Sequence, residues 1–356
     1  MKRFAARLLL LVPILLGVIL TSWFVDPDHI RDPDSYERGI AHLLLDGQAV
    51  TNVNQPDEAA VMIHYFSGLS SAPDVIVLGS SRLKLLRADS FPGQTFFNAS
   101  ISGGSLIDYM ALASLIEARG LLPRTLVIEM STWFVGSEVV SVWPRFESLQ
   151  PALEAHLLSG APAPDVAAYT PAAAAHMRFL SPDYFQLSLF TFLDARFGDA
   201  AAESYHVLRP GEEPTGLTYL ADGSEIFPLK RRRNLGSESV VALAIQAGQS
   251  PLGVPPAILP ERQRVIEAFL LDLQSKGVEI VLFLGPYHPA TYEIMMGNQY
   301  RIVAEIQTYY EDLARRHGFR IVGSYNPADL GLDGSVYYDA THITSESLAE
   351  IFRIDR

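Results

Sequence analysis

The segment PDVIVLGSSRL, residues 73–83, gives the strongest indication of the fold. Its apolar run from Val75 to Leu78 leads directly into a Gly-Ser-Ser turn. A continuous apolar run without polar alternation is typical of a strand buried on both faces, as in parallel sheets. Glycine permits a sharp turn from such a strand into a helix. The stretch therefore predicts a buried parallel strand whose carboxyl end presents the hydroxyl of Ser81.

Similar apolar runs recur along the chain and predict the rest of the sheet. They are TFFNAS from Thr95, TLVIEM from Thr125, VEIVLFLG from Val278 and FRIVG from Phe319. Helical patterns separate these runs. Right-handed crossovers arrange such units as a doubly wound α/β fold, a three-layer α/β/α sandwich with a mainly parallel sheet. Ligands in such folds bind beyond the carboxyl ends of the strands, where Ser81 lies.

A second polar motif, YYDATHIT at residues 337–344, lies near the C-terminus. Its Asp339 and His342 are three positions apart, so a carboxylate and an imidazole can share one turn and meet a third group. A serine hydroxyl is a weak nucleophile until a base accepts its proton, and that base needs an orienting partner. Ser81, His342 and Asp339 supply these three roles. Each motif on its own has a structural alternative. Ser81 can be the N-cap of a helix, and Asp339 and His342 can form a capping pair or a loop network.

This order of motifs resembles the SGNH (GDSL-type) hydrolase superfamily, in which a serine near the first strand pairs with an Asp-x-x-His close to the C-terminus. Gly79-Ser80-Ser81 is similar to the first block of the family, with Ser80 in place of its usual Asp, and NASISGGS at residues 98–105 resembles the second block. The resemblance implies an SGNH/flavodoxin-like sandwich with Ser81 as nucleophile. It also implies an oxyanion hole formed by the backbone N–H groups of Ser81 and Gly103.

The third block departs from the family pattern. The family has an Asn after this strand, and its amide completes the oxyanion hole, whereas this chain has Ser131, Thr132 and Trp133. Each of these side chains carries a donor, so all three are candidate oxyanion or substrate contacts. In this departure the chain resembles membrane-anchored relatives that act in envelope polysaccharide acylation and in teichoic-acid D-alanylation.

Two further residues are candidate substrate contacts because they lie at the same edge of the predicted sheet. Arg82 follows the predicted nucleophile and can hold a carboxylate or phosphate, with a salt bridge inside the fold as the alternative. His288 follows the fourth strand in GPYHPATYE, with an ordinary surface position as the alternative. The sequence has no metal motif, phosphate-binding loop or dinucleotide fingerprint, so we expect no metal and no cofactor.

The N-terminus is a membrane-directed segment. Basic side chains precede the apolar stretch Leu8 to Val25, and acidic residues follow it. The stretch is near the lower limit for crossing a hydrocarbon core of about 30 Å at 1.5 Å per residue. The charge asymmetry places the N-terminus inside and the remaining chain outside. We expect residues 1–25 to be a single-pass transmembrane signal anchor in the cytoplasmic membrane, with the domain in the periplasm or outside the cell. A cleaved signal peptide is the alternative.

The remaining chain divides by composition. Residues 26–72 are polar at both ends with an apolar patch from Ile40, which predicts a stalk that packs on the domain. Residues 73–356 form the predicted domain. Within it, residues of about 137–260 are rich in Ala, Pro and aromatics, which predicts a large insertion covering one edge of the sheet. The basic tetrad at residues 230–233 is interpreted as a solvated surface, with a polyanion or lipid-headgroup contact as the alternative.

Composition and charge restrict the partners. The chain has 356 residues, 49% of them hydrophobic, and a formal net charge of −13. Such a chain can bury a sizeable core, and its negative charge opposes contact with phosphate backbones, so no nucleic-acid partner is expected. The absence of cysteine excludes disulfides, thiolate metal sites and a Cys nucleophile.

Together these features predict a membrane-anchored extracytoplasmic serine hydrolase that acts on acyl esters. Release of its acyl-enzyme to water makes it an esterase, and release to a sugar hydroxyl makes it an O-acyltransferase. The location favours a cell-envelope glycan or lipid-linked substrate, with an envelope protein complex as a further partner. The alternative is a non-catalytic SGNH-like envelope protein used for binding or assembly, which the missing Asn of the third block favours.

Overall fold

The structure is a computed structural model. It describes residues 11–25, 34–136, 141–168, 181, 185–186, 188–190, 192–193, 205–251, 253–297 and 300–354. The described strands, in chain order, are β1 (Val50–Val53), β2 (Val75–Leu78), β3 (Phe96–Asn98), β4 (Thr125–Glu129), β5 (His206–Val207), β6 (Leu217–Tyr219), β7 (Glu225–Ile226), β8 (Glu279–Leu284) and β9 (Arg320–Gly323).

Helices connect most of these strands. The α-helices with described bounds are α1 (Leu11–Val25), α2 (Ser35–Leu45), α3 (Glu58–Gly68), α4 (Leu106–Ala118), α5 (Pro144–Glu147), α6 (Gln150–Ser159), α7 (Leu229–Arg232), α8 (Glu238–Gln249), α9 (Pro260–Ser275), α10 (Pro289–Gly297), α11 (Ile302–His317) and α12 (Ser345–Ile354). Short 3-10 turns lie at Ala88–Ser90, Thr132–Val135, Val166–Ala168, Pro327–Leu330 and Gly334–Val336.

The central sheet has five strands in the order β3-β2-β4-β8-β9, and every pairing in it is parallel. Successive side chains of a strand point to opposite faces. In β2, Ile76 and Leu78 belong to one hydrophobic cluster, and Val75 and Val77 belong to another. Both faces of the sheet are therefore buried, which confirms the predicted parallel α/β sheet.

Helices cover both faces of this sheet. On the first face, α3, α4, α9 and α11 contribute to the cluster that contains Ile76. On the second face, α12 packs Leu348 and Phe352 into the cluster that contains Val77. Residues after β2, among them Leu83, complete that second cluster. The observed architecture is thus a parallel sheet between helical layers.

A second sheet is antiparallel and joins the predicted stalk to the predicted insertion. Its order is β5-β1-β6-β7. The buried hydroxyls of Thr51 in β1 and Thr218 in β6 lie 2.7 Å apart. β1 comes from residues 26–72 and the other three strands come from residues 137–260, so the two regions share one sheet.

The described part of the predicted stalk is also bound to the main core. The apolar patch of α2 places Ile40 and Leu44 in the same cluster as Ile76. Tyr65 of α3 stacks on Phe97 of β3 with ring centroids 3.7 Å apart. Residues 26–33 lie outside the described residues, and the predicted domain boundaries remain predictions.

The N-terminal segment is described from Leu11 onward as α1, a helix of 15 residues. No helix in the described ranges is both long enough and apolar enough to cross a membrane. The predicted transmembrane helix of residues 1–25 is not supported by the structure, and its first ten residues lie outside the described part.

A buried ion cluster links three regions that are distant in sequence. Lys84 Nζ lies 2.7 Å from Glu58 Oε2 at the start of α3 and 2.5 Å from Glu225 Oε1 in β7. The side chains of Lys84, Glu58 and Glu225 are 3%, 9% and 3% exposed. Burial disfavours the charged form of Lys84, but the two carboxylates raise its pKa above the ordinary value. The cluster holds these regions together because an unpaired buried charge is costly.

We expect Lys84→Met to lower the free energy of unfolding by about 3–5 kcal/mol, because two buried carboxylates lose their counter-charge. Urea unfolding measures this loss. The matched control is Lys276→Met, since Lys276 also lies 2.6 Å from each of two carboxylates, Glu117 and Asp272, but at the surface. Its expected loss is about 1 kcal/mol or less. Equal losses in the two variants would contradict the role of Lys84.

Candidate active site

Ser81 lies in the turn that follows β2, at the carboxyl end of a central strand. The turn is held by Glu129, the last residue of β4. Glu129 Oε2 accepts a hydrogen bond from the Ser80 N–H at 2.6 Å, and Glu129 Oε1 accepts one from Ser131 Oγ at 2.8 Å. Glu129 is fully buried, so these bonds fix the start of the turn relative to the neighbouring strand.

The exit of β2 is also constrained by packing. A Cβ on Gly79 would lie 2.8 Å from both Leu83 Cβ and Ser100 Oγ, so a side chain does not fit there. Asn98 at the end of β3 donates from Nδ2 to the carbonyls of Leu83 at 2.7 Å and Leu86 at 2.9 Å. These hydrogen bonds therefore fix the segment after Ser81 to the neighbouring strand β3.

The structure brings Ser81, His342 and Asp339 together. His342 Nε2 lies 2.8 Å from Ser81 Oγ, and His342 Nδ1 lies 2.7 Å and 2.8 Å from the two carboxylate oxygens of Asp339. An ionised carboxylate only accepts hydrogen bonds, so Nδ1 carries the proton. Nε2 is left to accept the hydroxyl proton of Ser81, which is the arrangement of a Ser-His-Asp relay.

Asp339 is held by its own loop and by a cation. The N–H groups of Thr341 and His342 donate to Asp339 Oδ1 at 2.9 Å and 3.0 Å. Arg231 of α7 donates from Nη2 to Asp339 Oδ2 at 2.5 Å. Arg231 also lies over the ring of Phe227, with its guanidinium carbon 3.7 Å from the ring centroid. The predicted insertion therefore supplies a positioning residue for the carboxylate.

The interpretation of the basic tetrad as a solvated surface is wrong for two of its members. Arg231 binds Asp339, and Arg232 donates to the carbonyls of Phe227 at 3.0 Å and Pro214 at 2.6 Å. Lys230 and Arg233 are exposed, as expected. Sequence reasoning missed Arg231 because Asp339 lies 108 positions away and no local pattern links the two residues.

The electrostatics of the relay favour a neutral imidazole. Burial raises the pKa of Asp339, but the hydrogen bond and charge of His342, the Thr341 N–H and Arg231 outweigh this and hold the pKa well below its ordinary value. Burial lowers the pKa of His342 below its ordinary 6.5, and Arg231 and Arg82 lower it further, against the opposing effect of Asp339. At pH 7 His342 is thus unprotonated and able to act as a base.

A cavity of about 550 Å³ opens over Ser81. His342 and Asp339 lie in its lining, and α8 contributes an apolar wall with Leu243 and Ala247. Leu243 is 55% exposed, so this wall also faces the exterior. The cavity therefore combines an apolar side with the polar groups of the relay, which is typical of a small-molecule site.

Gly103 lies in the same cavity as Ser81. Its φ of +64° is a conformation that favours glycine. The preceding residue, Ser102, is held by Glu58, which accepts from the Ser102 N–H at 2.6 Å and from its hydroxyl at 2.9 Å. Within the described residues, the backbone N–H groups of Ser81 and Gly103 make no hydrogen bond. Two N–H groups without a partner among the described residues, on residues that line one cavity, are what the predicted oxyanion hole requires.

Of the three third-block candidates, only Trp133 lines the cavity. Ser131 is fully buried and donates its hydroxyl proton to Glu129, and Thr132 is fully buried with Oγ1 3.1 Å from the Tyr287 hydroxyl. The structure therefore does not bring the hydroxyls of Ser131 and Thr132 to the cavity, because both contact partners within the fold.

His288 is not among the residues that line the cavity. It does not lie at the surface either, since it is 3% exposed. Its N–H donates to the Ala340 carbonyl at 2.8 Å, and its Nδ1 accepts from the Ala290 N–H at 3.1 Å. The ring packs edge-on against Tyr337 with centroids 5.1 Å apart. His288 thus supports the loop that carries Asp339.

Comparison with known proteins adds no relative: no family model matches the chain, and no curated protein matches it. The resemblance to the SGNH superfamily therefore remains a prediction from the motifs. The described residues contain no group of three or more His, Cys, Asp or Glu side chains that could hold a metal ion. The expectation of no metal and no cofactor also remains a prediction.

The charges around His342 predict how its imidazole titrates. We expect its pKa to lie below the ordinary 6.5 in the unaltered chain. Arg231→Gln should raise this pKa because it removes a nearby cation, and Asp339→Asn should lower it because it removes an anion and an acceptor. Nuclear magnetic resonance titration of the imidazole measures all three values. Arg233→Gln, an exposed cation close in sequence, is the control and should leave the pKa unchanged. A pKa above 6.5 in the unaltered chain would contradict this account.

Proposed function

We propose that this chain is a serine ester hydrolase or O-acyltransferase of the SGNH type. The observation that carries the proposal is the relay from Ser81 through His342 to Asp339, with contacts of 2.8 Å and 2.7 Å, at the lining of a cavity of about 550 Å³. A hydroxyl held by a neutral imidazole, itself oriented by a carboxylate, is the arrangement that nucleophilic acyl transfer needs.

The geometry supports a reaction in two halves. Ser81 Oγ attacks the ester carbonyl carbon while its proton passes to His342 Nε2, and Asp339 stabilises the imidazolium. The N–H groups of Ser81 and Gly103 stabilise the negative oxygen of the tetrahedral intermediate. His342 then protonates the departing alcohol, which leaves an acyl group on Ser81. In the second half His342 accepts a proton from water or a sugar hydroxyl, whose oxygen attacks the acyl carbon. The bond from that carbon to Ser81 Oγ then breaks, and His342 returns the proton to Ser81 Oγ.

The lining of the cavity supports an acyl ester as the substrate. Leu243 and Ala247 of α8 and Pro251 after it form an apolar wall. Such a wall can bury the hydrocarbon part of an acyl group at about 25 cal/mol for each Å² removed from water. Ser81, His342 and Asp339, which line the same cavity, would then meet the ester carbonyl.

The location and partners of the protein belong to the same proposal and rest on sequence alone. The apolar N-terminal stretch with its charge asymmetry supports a membrane-anchored protein whose domain lies in the periplasm or outside the cell. A domain in that place meets envelope glycans, lipid-linked acyl donors and other envelope proteins.

A non-catalytic SGNH-like binding or assembly protein is the second candidate. It is favoured by one observation, which is that Ser131 and Thr132 do not reach the cavity and so supply no third oxyanion donor. Loss of one such donor lowers the rate of acyl transfer by about 100- to 1,000-fold in enzymes that use it.

Reaction with a fluorophosphonate probe separates the two candidates. We expect the full 356-residue chain to be labelled, Ser81→Ala to take no label, and His342→Ala to be labelled at least about 100-fold more slowly, because the hydroxyl then lacks its base. Mass spectrometry of the labelled peptide locates the probe.

The matched control is Ser80→Ala, which removes a neighbouring hydroxyl that also lines the cavity but does not contact His342. This variant should keep its labelling. A folded chain that takes no label, or that is labelled equally in Ser81→Ala, would refute the catalytic proposal and favour the binding protein.

A further inference from the structure

Arg82 is a buried cation in the wall of the Ser81 cavity. Its side chain is held between two aromatic rings, with the guanidinium carbon 4.7 Å from the ring centroid of Tyr287 and 5.4 Å from that of Trp133. Arg82 is only 7% exposed. A Cβ on Gly285 would lie 3.1 Å from Arg82 Cδ and 3.5 Å from Nη1, so the glycine leaves room for the guanidinium. The site is thus shaped around this cation.

Arg82 differs from the other buried basic side chains in its partners. In the part of the chain that the structure describes, Lys84, Arg145 and Arg262 each lie within 2.8 Å of a carboxylate oxygen. No described carboxylate forms a salt bridge with Arg82: its polar neighbours are the Gly285 carbonyl and the Tyr287 hydroxyl, and buried Glu129 raises its pKa from beyond salt-bridge distance. A buried cation is costly without a directly paired anion, and the cavity that Arg82 lines is the open space in which such a partner can bind.

We infer that the ester bound in this cavity carries an anionic group, a carboxylate or a phosphate, that pairs with Arg82. The planar guanidinium presents several donors that match the oxygens of such a group. Arg82 follows Ser81 directly in sequence and lines the same cavity, so the anion binds close to the ester carbonyl. The inference rests on the proposed function and specifies its substrate class.

Matched pairs of esters test the inference on the full chain. 4-Nitrophenyl valerate and the 4-nitrophenyl monoester of glutaric acid differ by a carboxylate at the end of the acyl part. Phenyl acetate is compared with 3-acetoxybenzoate, which carries a carboxylate on the alcohol part, and with 4-acetoxyphenyl phosphate. The three comparisons show which part of the ester carries the anion and whether it is a carboxylate or a phosphate.

We expect at least one anionic ester to be preferred over its neutral partner by about 10- to 100-fold in kcat/KM. Arg82→Gln should remove this preference by lowering kcat/KM far more for the anionic ester than for its neutral partner, whereas Arg82→Lys should keep part of the preference because it keeps the charge. Arg233→Gln, an exposed cation, is the matched control and should keep the whole preference. The absence of any preference in the unaltered chain, or equal loss for both members of a pair in Arg82→Gln, would overturn the inference.

Binding to Ser81→Ala keeps this test separate from the proposed function. Isothermal titration of the same esters into Ser81→Ala, and into that variant with Arg82→Gln added, measures recognition without turnover. An anionic preference that Arg82→Gln removes supports the inference even where no ester is hydrolysed. Hydrolysis that depends on Ser81 but shows no anionic preference supports the proposed function and refutes the role of Arg82. Thermal unfolding of each variant establishes that it is folded.

Discussion

The buried charge of Lys84 is paired with two carboxylates, and this ion cluster links the segments around the candidate site. Glu58 approaches Lys84 from the segment that precedes the central sheet in sequence, and Glu225 approaches it from the insertion between β4 and β8. Glu58 also binds Ser102, the residue before Gly103. One carboxylate therefore connects the segment that follows Ser81 to the segment that carries Gly103. The desolvation cost of the cluster is offset only when all three regions are in place, which couples folding of the outer regions to the geometry of the site.

The central sheet and the relay could be predicted from the sequence because both depend on local signals. Apolar runs such as the one from Val75 to Leu78 form strands for reasons that lie within the run itself. Ser81 and His342 come together because parallel strands place their carboxyl ends, and the loops after them, at one edge of the sheet. Asp339 precedes His342 by three residues, so a single turn of the chain brings its carboxylate to the imidazole. The resemblance to the SGNH superfamily rests on these same residues and remains a prediction.

The remaining features could not be predicted because they depend on partners that are far apart in sequence. The strands of the antiparallel sheet are two to four residues long, and Thr51 meets Thr218 across 167 positions. Strands this short carry almost no periodic signal. The positions of the Ser131 and Thr132 hydroxyls could not be predicted for the same reason, since a hydroxyl pairs with whichever partner the fold places next to it. Here those partners are Glu129 and Tyr287, and the sequence does not reveal them.

The two guanidinium groups beside His342 make the strength of the base depend on what the cavity contains. Arg82 and Arg231 both disfavour the imidazolium, and of the two only Arg231 has a salt bridge, to Asp339, among the described residues. By the inference above, an anion paired with Arg82 would offset the positive field of that guanidinium, so the proton affinity of His342 would rise when the anion binds. Linkage requires the reverse effect of equal size, in which protonated His342 binds the anion more tightly than neutral His342 does. On the proposed function, binding of an anionic ester therefore strengthens the base beside Ser81 at the moment when its hydroxyl has to react.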